Sequence, residues 1–193
     1  MKIIFATNNK NKVEEIKHLS HQKFEIFTLQ EVGIDIDIPE PHDTLEANAT
    51  EKSTTIYKLT NEAVFSEDTG LEVEALNGAP GVKSARYAGE GRNMQDNIDK
   101  LLAELKDKPT RAAQFRTVVS LIIGGKEYQF EGICKGHITH EMDGSNGFGY
   151  DPVFIPEGSN TTFANMDIAE KNKFSHRKKA VQQLIDFLNA YQA

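Results

Sequence analysis

Residues 113–134 read AQFRTVVSLIIGGKEYQFEGIC, and their patterning decides the fold class. Two runs rich in β-branched and aromatic residues, 113–123 and 126–134, flank Gly124-Gly125, a pair that readily supplies the positive φ angles of a tight hairpin turn. The centre of the chain therefore reads as a long β-hairpin. Upstream the pattern changes to strand followed by helix. Residues 2–6 (KIIFA) are a short apolar run closed by the polar turn Thr7-Asn8-Asn9-Lys10, the mark of a buried strand. A helix follows, with Asn9 as N-cap and Val13, Ile16 and Leu19 on its inner face. Residues 34–41 (IDIDIPEP) alternate and stop at Pro39 and Pro41, as a strand ending in a loop does. Early β/α alternation joined to a central hairpin predicts an α/β protein with a mixed sheet.

The remaining elements follow from local signals. Asp43-Thr44-Leu45-Glu46 has the spacing of a capping box and opens a helix to about Leu59. Ala63–Ser66 and Leu71–Leu76 read as two short strands separated by an acidic turn, Glu67-Asp68-Thr69-Gly70. Residues 77–91 hold four glycines and Pro80 and read as a loop. Asn93 caps a helix with Met94, Ile98, Leu101, Leu102 and Leu105 on one face. Ser145–Asp151 is a second glycine loop, leading into a strand at Val153–Ile155. Asp167-Ile168-Ala169-Glu170 is a further capping box, and from His176 onward Val181, Leu184, Ile185 and Leu188 form one apolar stripe.

Composition narrows the class. The chain has 193 residues, enough for one domain that buries roughly 70% of its extended surface. Hydrophobic residues make up 38% and charged residues 26%, which excludes a disordered or fibrous chain. No apolar run approaches the roughly 18 residues of a membrane span, so no membrane partner is expected. MKIIFATNNK turns polar too early for a signal peptide, and the single cysteine, Cys134, rules out an internal disulfide. A cytoplasmic location is the expectation. A net charge of −7 argues against a nucleic-acid partner, whose footprint is a basic face, yet leaves a small polyanion open.

Several motifs could handle such an anion. Phe5-Ala6-Thr7-Asn8-Asn9-Lys10-Asn11-Lys12 forms a strand–turn–helix cradle in which helix amides, Thr7, Asn9 and Lys12 offer donors to phosphate. An ordinary capped helix reads the same way, and no glycine-rich Walker motif is present. Glu67 and Asp68 supply hard oxygen ligands for Mg²⁺ or a base for water, unless they are simply an exposed acidic turn. Glu40, set between two prolines, is a second rigidly placed carboxylate. Lys171, Lys173, His176, Arg177, Lys178 and Lys179 crowd the start of the last helix, where cations oppose the dipole; either an anionic ligand or a solvated face accounts for them. Phe148, between Gly147 and Gly149, could stack on a planar base or fold back on the core. His137 and His140 face opposite sides of a strand and should not chelate, while His18 and His21 straddle a helix end. Cys134 reads as an inert buried thiol.

Taken in order, these motifs resemble the inosine triphosphate pyrophosphatase family of nucleotide hydrolases over nearly the whole chain. The resemblance runs from Ala6–Lys12 through Thr44-Leu45-Glu46-Ala47-Asn48-Ala49 to its most specific stretch, residues 67–89. It closes with Gly147-Phe148-Gly149-Tyr150-Asp151-Pro152, Lys171 and Ser175-His176-Arg177. It implies a single domain over residues 1–193: a long mixed β-sheet flanked by helices, in two lobes with the active cleft between them. It further implies a homodimer that uses Mg²⁺ to cleave inosine, deoxyinosine and xanthosine triphosphates into monophosphate and pyrophosphate.

Residue by residue, the resemblance implies that Thr7, Asn8, Asn9, Lys10, Asn11 and Lys12 hold the triphosphate, with Lys52 and Lys171 neutralising its charge. Asp68 is the catalytic carboxylate, and Asp68 and Glu40 are the metal ligands. Thr69 donates a hydrogen bond to the nucleotide. Phe148 stacks on the base beside Gly149 and Tyr150, and Asp151, His176 and Arg177 read its edge. The family's usual Asp-Asp-Ser is Glu67-Asp68-Thr69 here, so the longer Glu67 leaves open which carboxylate touches the metal. A catalytically silent nucleotide-binding module and a pyrophosphatase of other modified nucleotides stand as alternatives. Asp68 weighs against the first, because a carboxylate beside polyphosphate weakens binding unless a cation bridges them.

Overall fold

The hairpin at Gly124-Gly125 forms, and its second strand runs longer than expected. Described here are residues 1–17 and 24–191 of a computed structural model. Among them the strands are β1 (Lys2–Phe5), β2 (Glu25–Thr28), β3 (Val64–Val73), β4 (Pro80–Gly81), β5 (Ala112–Ile123), β6 (Lys126–Ile138) and β7 (Phe154–Pro156). The helices are α1 (Lys10–Lys17), α2 (Leu45–Thr60), α3 (Met94–Glu104), α4 (Ile168–Lys171) and α5 (His176–Ala190). One sheet contains these strands in the order β2-β1-β3-β5-β6-β7, with β4 beside β3. β1 lies parallel to β2 and β3, whereas β4 is antiparallel to β3 and β7 to β6. The protein is thus α/β with a mixed sheet flanked by helices.

The chain divides into two compact units. The first comprises Met1–Asp68, Thr117–Gly132 and Arg177–Ala193; the second comprises Thr69–Arg116 and Ile133–His176. In the first, the period of two along β1 fills cores on both faces of the sheet. Ile3 and Phe5 join Phe65, Val119, Leu121 and Ile123 in a core with Ile16 of α1 and with the Val181, Leu184, Ile185 and Leu188 stripe of α5. Phe5 and Phe65, paired across β1 and β3, stack in parallel with ring centroids 4.5 Å apart. Ile4 and Ala6 turn the other way, to Val64, Leu29, Ile38 and Ile56 of α2. In the second unit, Ile98, Leu101 and Leu105 pack with Leu71, Val73 and an aromatic group of Phe115, Phe154 and Phe163. Cys134 is buried in that same core.

Asn9, Asn93 and Asp167 cap helices as expected, accepting from the backbone N–H groups of Lys12, Asp96 and Glu170. Other expectations need correction. Residues 63–76 are not two strands around a turn: β3 runs unbroken from Val64 to Val73. Residues 34–41 pair in no ladder among the described residues. Their alternation instead lays Ile34, Ile36 and Ile38 against the core beside α2. Thr44, not Asp43, caps α2, accepting from Ala47 N–H at 3.2 Å. Met94 stands exposed at the first position of α3, and β2 had no sequence signal strong enough to assign. The Asp167 box opens only the four-residue α4, and β6 ends at Ile138, which places His140 beyond the strand. Leu19, His18 and His21 lie outside the described residues.

Gly70 shows why β3 and β4 demand their glycines. A Cβ at Gly70 would sit 2.6 Å from the Gly81 carbonyl oxygen, a backbone atom that cannot swing away. Gly70→Ala should therefore cost about 1–3 kcal/mol through overpacking. A urea unfolding midpoint that falls at unchanged slope is the expected reading.

Candidate active site

Because β3 is continuous, Glu67 and Asp68 are successive strand residues and project to opposite faces. Glu67 points to the side covered by α1 and α5. There Arg177 Nε donates to both of its carboxylate oxygens at 2.9 Å, and Lys12 Nζ lies 3.4 Å from Oε1. The Arg177 guanidinium also pairs with Glu15 through Nη1. Asp68 points to the α2 side, where Lys52 Nζ donates to Oδ1 at 3.1 Å and to Glu40 Oε1 at 2.5 Å. The two neighbouring carboxylates are thereby parted, and the expected metal ligands Asp68 and Glu40 meet at Lys52. Glu67 belongs to a buried ion cluster, and Asp68 shares a lysine with Glu40.

The electrostatics differ accordingly. Burial alone would raise the Glu67 carboxyl, but Arg177 and Lys12 outweigh it and hold Glu67 below the usual range. Burial raises Asp68, Lys52 and Lys12 oppose it, Glu40 adds to it, and the net shift is upward. Burial pulls Lys12 down, with Glu67 only partly restoring it. For Lys52 burial also acts downward, yet Asp68 and Glu40 together leave it raised. Arg177 is raised, its carboxylate partners overcoming desolvation. Asp68 is thus a buried carboxylate whose pKa is shifted upward although the Lys52 ammonium donates to it.

The turn before α1 is internally ordered. Asn9 N–H donates to Thr7 Oγ1 at 3.1 Å, and the Asn8 carboxamide donates to the Ile36 carbonyl at 2.8 Å. Asn8, Asn9, Lys10 and Asn11 are exposed, while Thr7 and Lys12 are half-buried.

The second unit carries a separate group. Buried Asp151 accepts from Lys171 Nζ at 2.8 Å and from Phe148 N–H at 3.0 Å. Gly147, at φ +78°, leaves no room for a Cβ beside that carboxylate. The Lys171 ammonium lies 5.3 Å from the centres of both the Phe148 and Phe163 rings, a cation–π arrangement. Tyr150 is buried and its hydroxyl donates to the Ser84 carbonyl at 2.8 Å, while Phe148 and Gly149 are half-buried. His176 stacks on Phe115 with centroids 4.7 Å apart. Thr69, the first residue of this unit, is half-buried. Arg177 is grouped with Glu67, Glu15 and Lys12 within the first unit. Glu15 went unnoticed from sequence, although its spacing of three from Lys12 on α1 places both on one helix face.

Among the described residues no three His, Cys, Asp or Glu side chains converge as a metal cage. Two hard carboxylates meeting at one lysine nevertheless suit Mg²⁺, which keeps several waters and takes further oxygens from substrate phosphates. No helix among the described residues is long and apolar enough to cross a membrane.

The mixed α/β fold thus carries one buried acid–lysine group in each unit, Asp68 and Glu40 with Lys52 in the first and Asp151 with Lys171 in the second. The Ham1 family profile matches residues 3–187, and the chain belongs to that family. It is 50% identical over 190 residues to a dITP/XTP pyrophosphatase of Flavobacterium johnsoniae, covering 98% of this chain and 99% of the relative. A dITP/XTP pyrophosphatase of Porphyromonas gingivalis is 53% identical over 188 residues, with 97% of each chain covered. The Staphylococcus aureus Ham1 protein superposes with a TM-score of 0.90 at 37% identity, over the full length of both chains. A HAM1 protein from Coxiella burnetii gives 0.91 at 34% identity, covering 99% of this chain and all of that one.

Removing the Glu67 charge should deprive buried Arg177 and half-buried Lys12 of their shared carboxylate. Glu67→Gln is expected to cost about 3–5 kcal/mol at neutral pH, read as a lowered urea midpoint. The pH sign follows from its lowered pKa. The stabilisation is present above the ordinary glutamate value of 4.5 and is lost as pH falls through the depressed one. The gap between wild type and variant should therefore close in acid.

Proposed function

We propose that this chain hydrolyses non-standard purine nucleoside triphosphates, dITP, ITP and XTP, to the monophosphate and pyrophosphate with Mg²⁺ as cofactor. The observation that carries the reading is Asp68: a buried carboxylate with a pKa shifted upward, sharing the Lys52 ammonium with Glu40, in a chain whose relatives are named dITP/XTP pyrophosphatases. We take residues 1–193 as one pyrophosphatase domain acting as a cytoplasmic homodimer, on the resemblance stated above.

In this reading Thr7, Asn8, Asn9, Lys10, Asn11 and Lys12 bind the polyphosphate, with Lys52 and Lys171 offsetting its charge. Asp68 accepts the proton of the attacking water. The water oxygen bonds to the α-phosphorus while the bond to the bridging oxygen breaks, and pyrophosphate leaves with the electron pair. Asp68 and Glu40 would hold Mg²⁺, which would supply charge neutralisation at the phosphates when bound. Thr69 donates to the nucleotide, and Phe148 stacks on the base beside Gly149 and Tyr150. Asp151, His176 and Arg177 read its edge, with Glu67 and Glu15 fixing the guanidinium plane. A donor there accepts a 6-oxo purine and leaves adenine's amino group unmatched, a difference that reaches about 10⁴-fold in buried sites, while rejection of guanine, also a 6-oxo purine, falls to pocket shape around its 2-amino group.

Pyrophosphate release from inosine, xanthosine, adenosine and guanosine triphosphates, alongside Asp68→Asn, tests this. Release confined to the first two, with kcat lowered on the order of 10³-fold in the variant, is the expected result. Nucleotide binding without release would make the chain a silent binder, and release from modified pyrimidines would move the substrate class. The raised Asp68 pKa also sets a sign. The wild-type kcat/KM should climb with pH through a value above the ordinary 3.8, and Asp68→Asn should lack that limb.

A further inference from the structure

We propose that Asn48 is a positioning residue that sets the Glu40 carboxylate against Lys52 and Asp68. Asn48 is 1% exposed, and its carboxamide closes a two-bond ring on the backbone of His42. Its Oδ1 accepts from His42 N–H at 2.9 Å, and its Nδ2 donates to the His42 carbonyl at 3.1 Å. His42 lies two residues beyond Glu40, across Pro41, and Pro39 precedes Glu40. Proline fixes φ near −65° on both sides of the glutamate, so little backbone freedom separates the Asn48 anchor from the Glu40 carboxylate.

The other end of the loop is held from the same helix. Asn48 and Lys52 are four residues apart on α2 and therefore share one of its faces. Asn48 grips the backbone after Glu40, and Lys52 grips the Glu40 side chain at 2.5 Å while reaching Asp68 at 3.1 Å. α2 is itself tied down, since Ser66 Oγ of β3 donates to the Ala49 carbonyl at 2.5 Å and Ser53 Oγ meets Ser120 Oγ of β5 at 2.7 Å. One helix thus fixes both the backbone and the carboxylate of an irregular segment. The two-bond ring needs a donor and an acceptor on one short planar group, which asparagine supplies and aspartate or alanine does not.

This inference rests on the reading of Glu40 and Asp68 as the metal carboxylates. Its test is a double-mutant cycle on Mn²⁺ binding, followed by electron paramagnetic resonance with Mn²⁺ alone added to the full chain, well below the unfolding temperature. Glu40→Gln should weaken Mn²⁺ binding. Asn48→Ala should weaken it roughly tenfold, within the span known for groups that orient metal ligands. The double variant should bind no more weakly than Glu40→Gln, because Asn48 acts through Glu40. Asn48→Asp, which keeps the acceptor for His42 N–H, should fall between wild type and Asn48→Ala and serves if the alanine variant does not fold. Additive losses, or Mn²⁺ binding unchanged in folded Asn48 variants while Glu40→Gln weakens it, would overturn the positioning role and leave the metal reading standing. Unchanged binding in Glu40→Gln would overturn the metal reading itself, and the positioning role with it.

Discussion

Side chains along an extended strand alternate between its two faces, and β3 stays extended through Glu67 and Asp68. That single constraint sends one acidic side chain toward α1 and α5 and its neighbour toward α2. Each then meets its own cations: Arg177 and Lys12 for Glu67, Lys52 for Asp68. Two adjacent carboxylates with the same solution chemistry end with opposite proton affinities. Arg177 and Lys12 outweigh burial and favour the Glu67 charge, whereas at Asp68 burial prevails and disfavours it. A turn at this point would have left both exposed and nearly equivalent.

The helices serve that arrangement as much as they serve the core. α1 contributes Ile16 to the apolar core and both Lys12 and Glu15 to the ion cluster. α5 lays its apolar stripe on the same core and begins with the dipeptide His176-Arg177, where the two units divide. Buried ion pairs are costly to desolvate and often contribute little net stability. Their value here is placement. The Arg177 guanidinium, gripped by Glu67 and Glu15, has a defined plane and position.

What the sequence made legible was mostly local. Asn9, Asn93 and Asp167 announce helix starts because a cap needs only a side-chain oxygen and an N–H two or three residues on. The hairpin at Gly124-Gly125 was equally plain, since the turn and both strands lie within one stretch. β3 was misread because Glu-Asp-Thr-Gly is polar, ends in glycine and so looks like a turn. Its compensating charge comes from Arg177, 110 residues away, and no local pattern carries that. The alternation at 34–41 misled in the opposite sense: Ile34, Ile36 and Ile38 do face the core, but among the described residues no strand pairs with them. For the site, the residue types at Lys12, Glu40, Lys52 and Asp68 could be read from the motifs. Which acid meets which lysine depends on strand phase, and a turn at residues 67–70 defines none.

Carbon-13 NMR titration of the side-chain carboxyl groups of Glu67 and Asp68 probes this division of labour most directly. Opposite faces of β3 predict that Glu67 stays ionised below the ordinary glutamate range while Asp68 takes up its proton above the ordinary aspartate value. Two carboxyls titrating together near their ordinary values would contradict it, because that is the behaviour of an exposed turn.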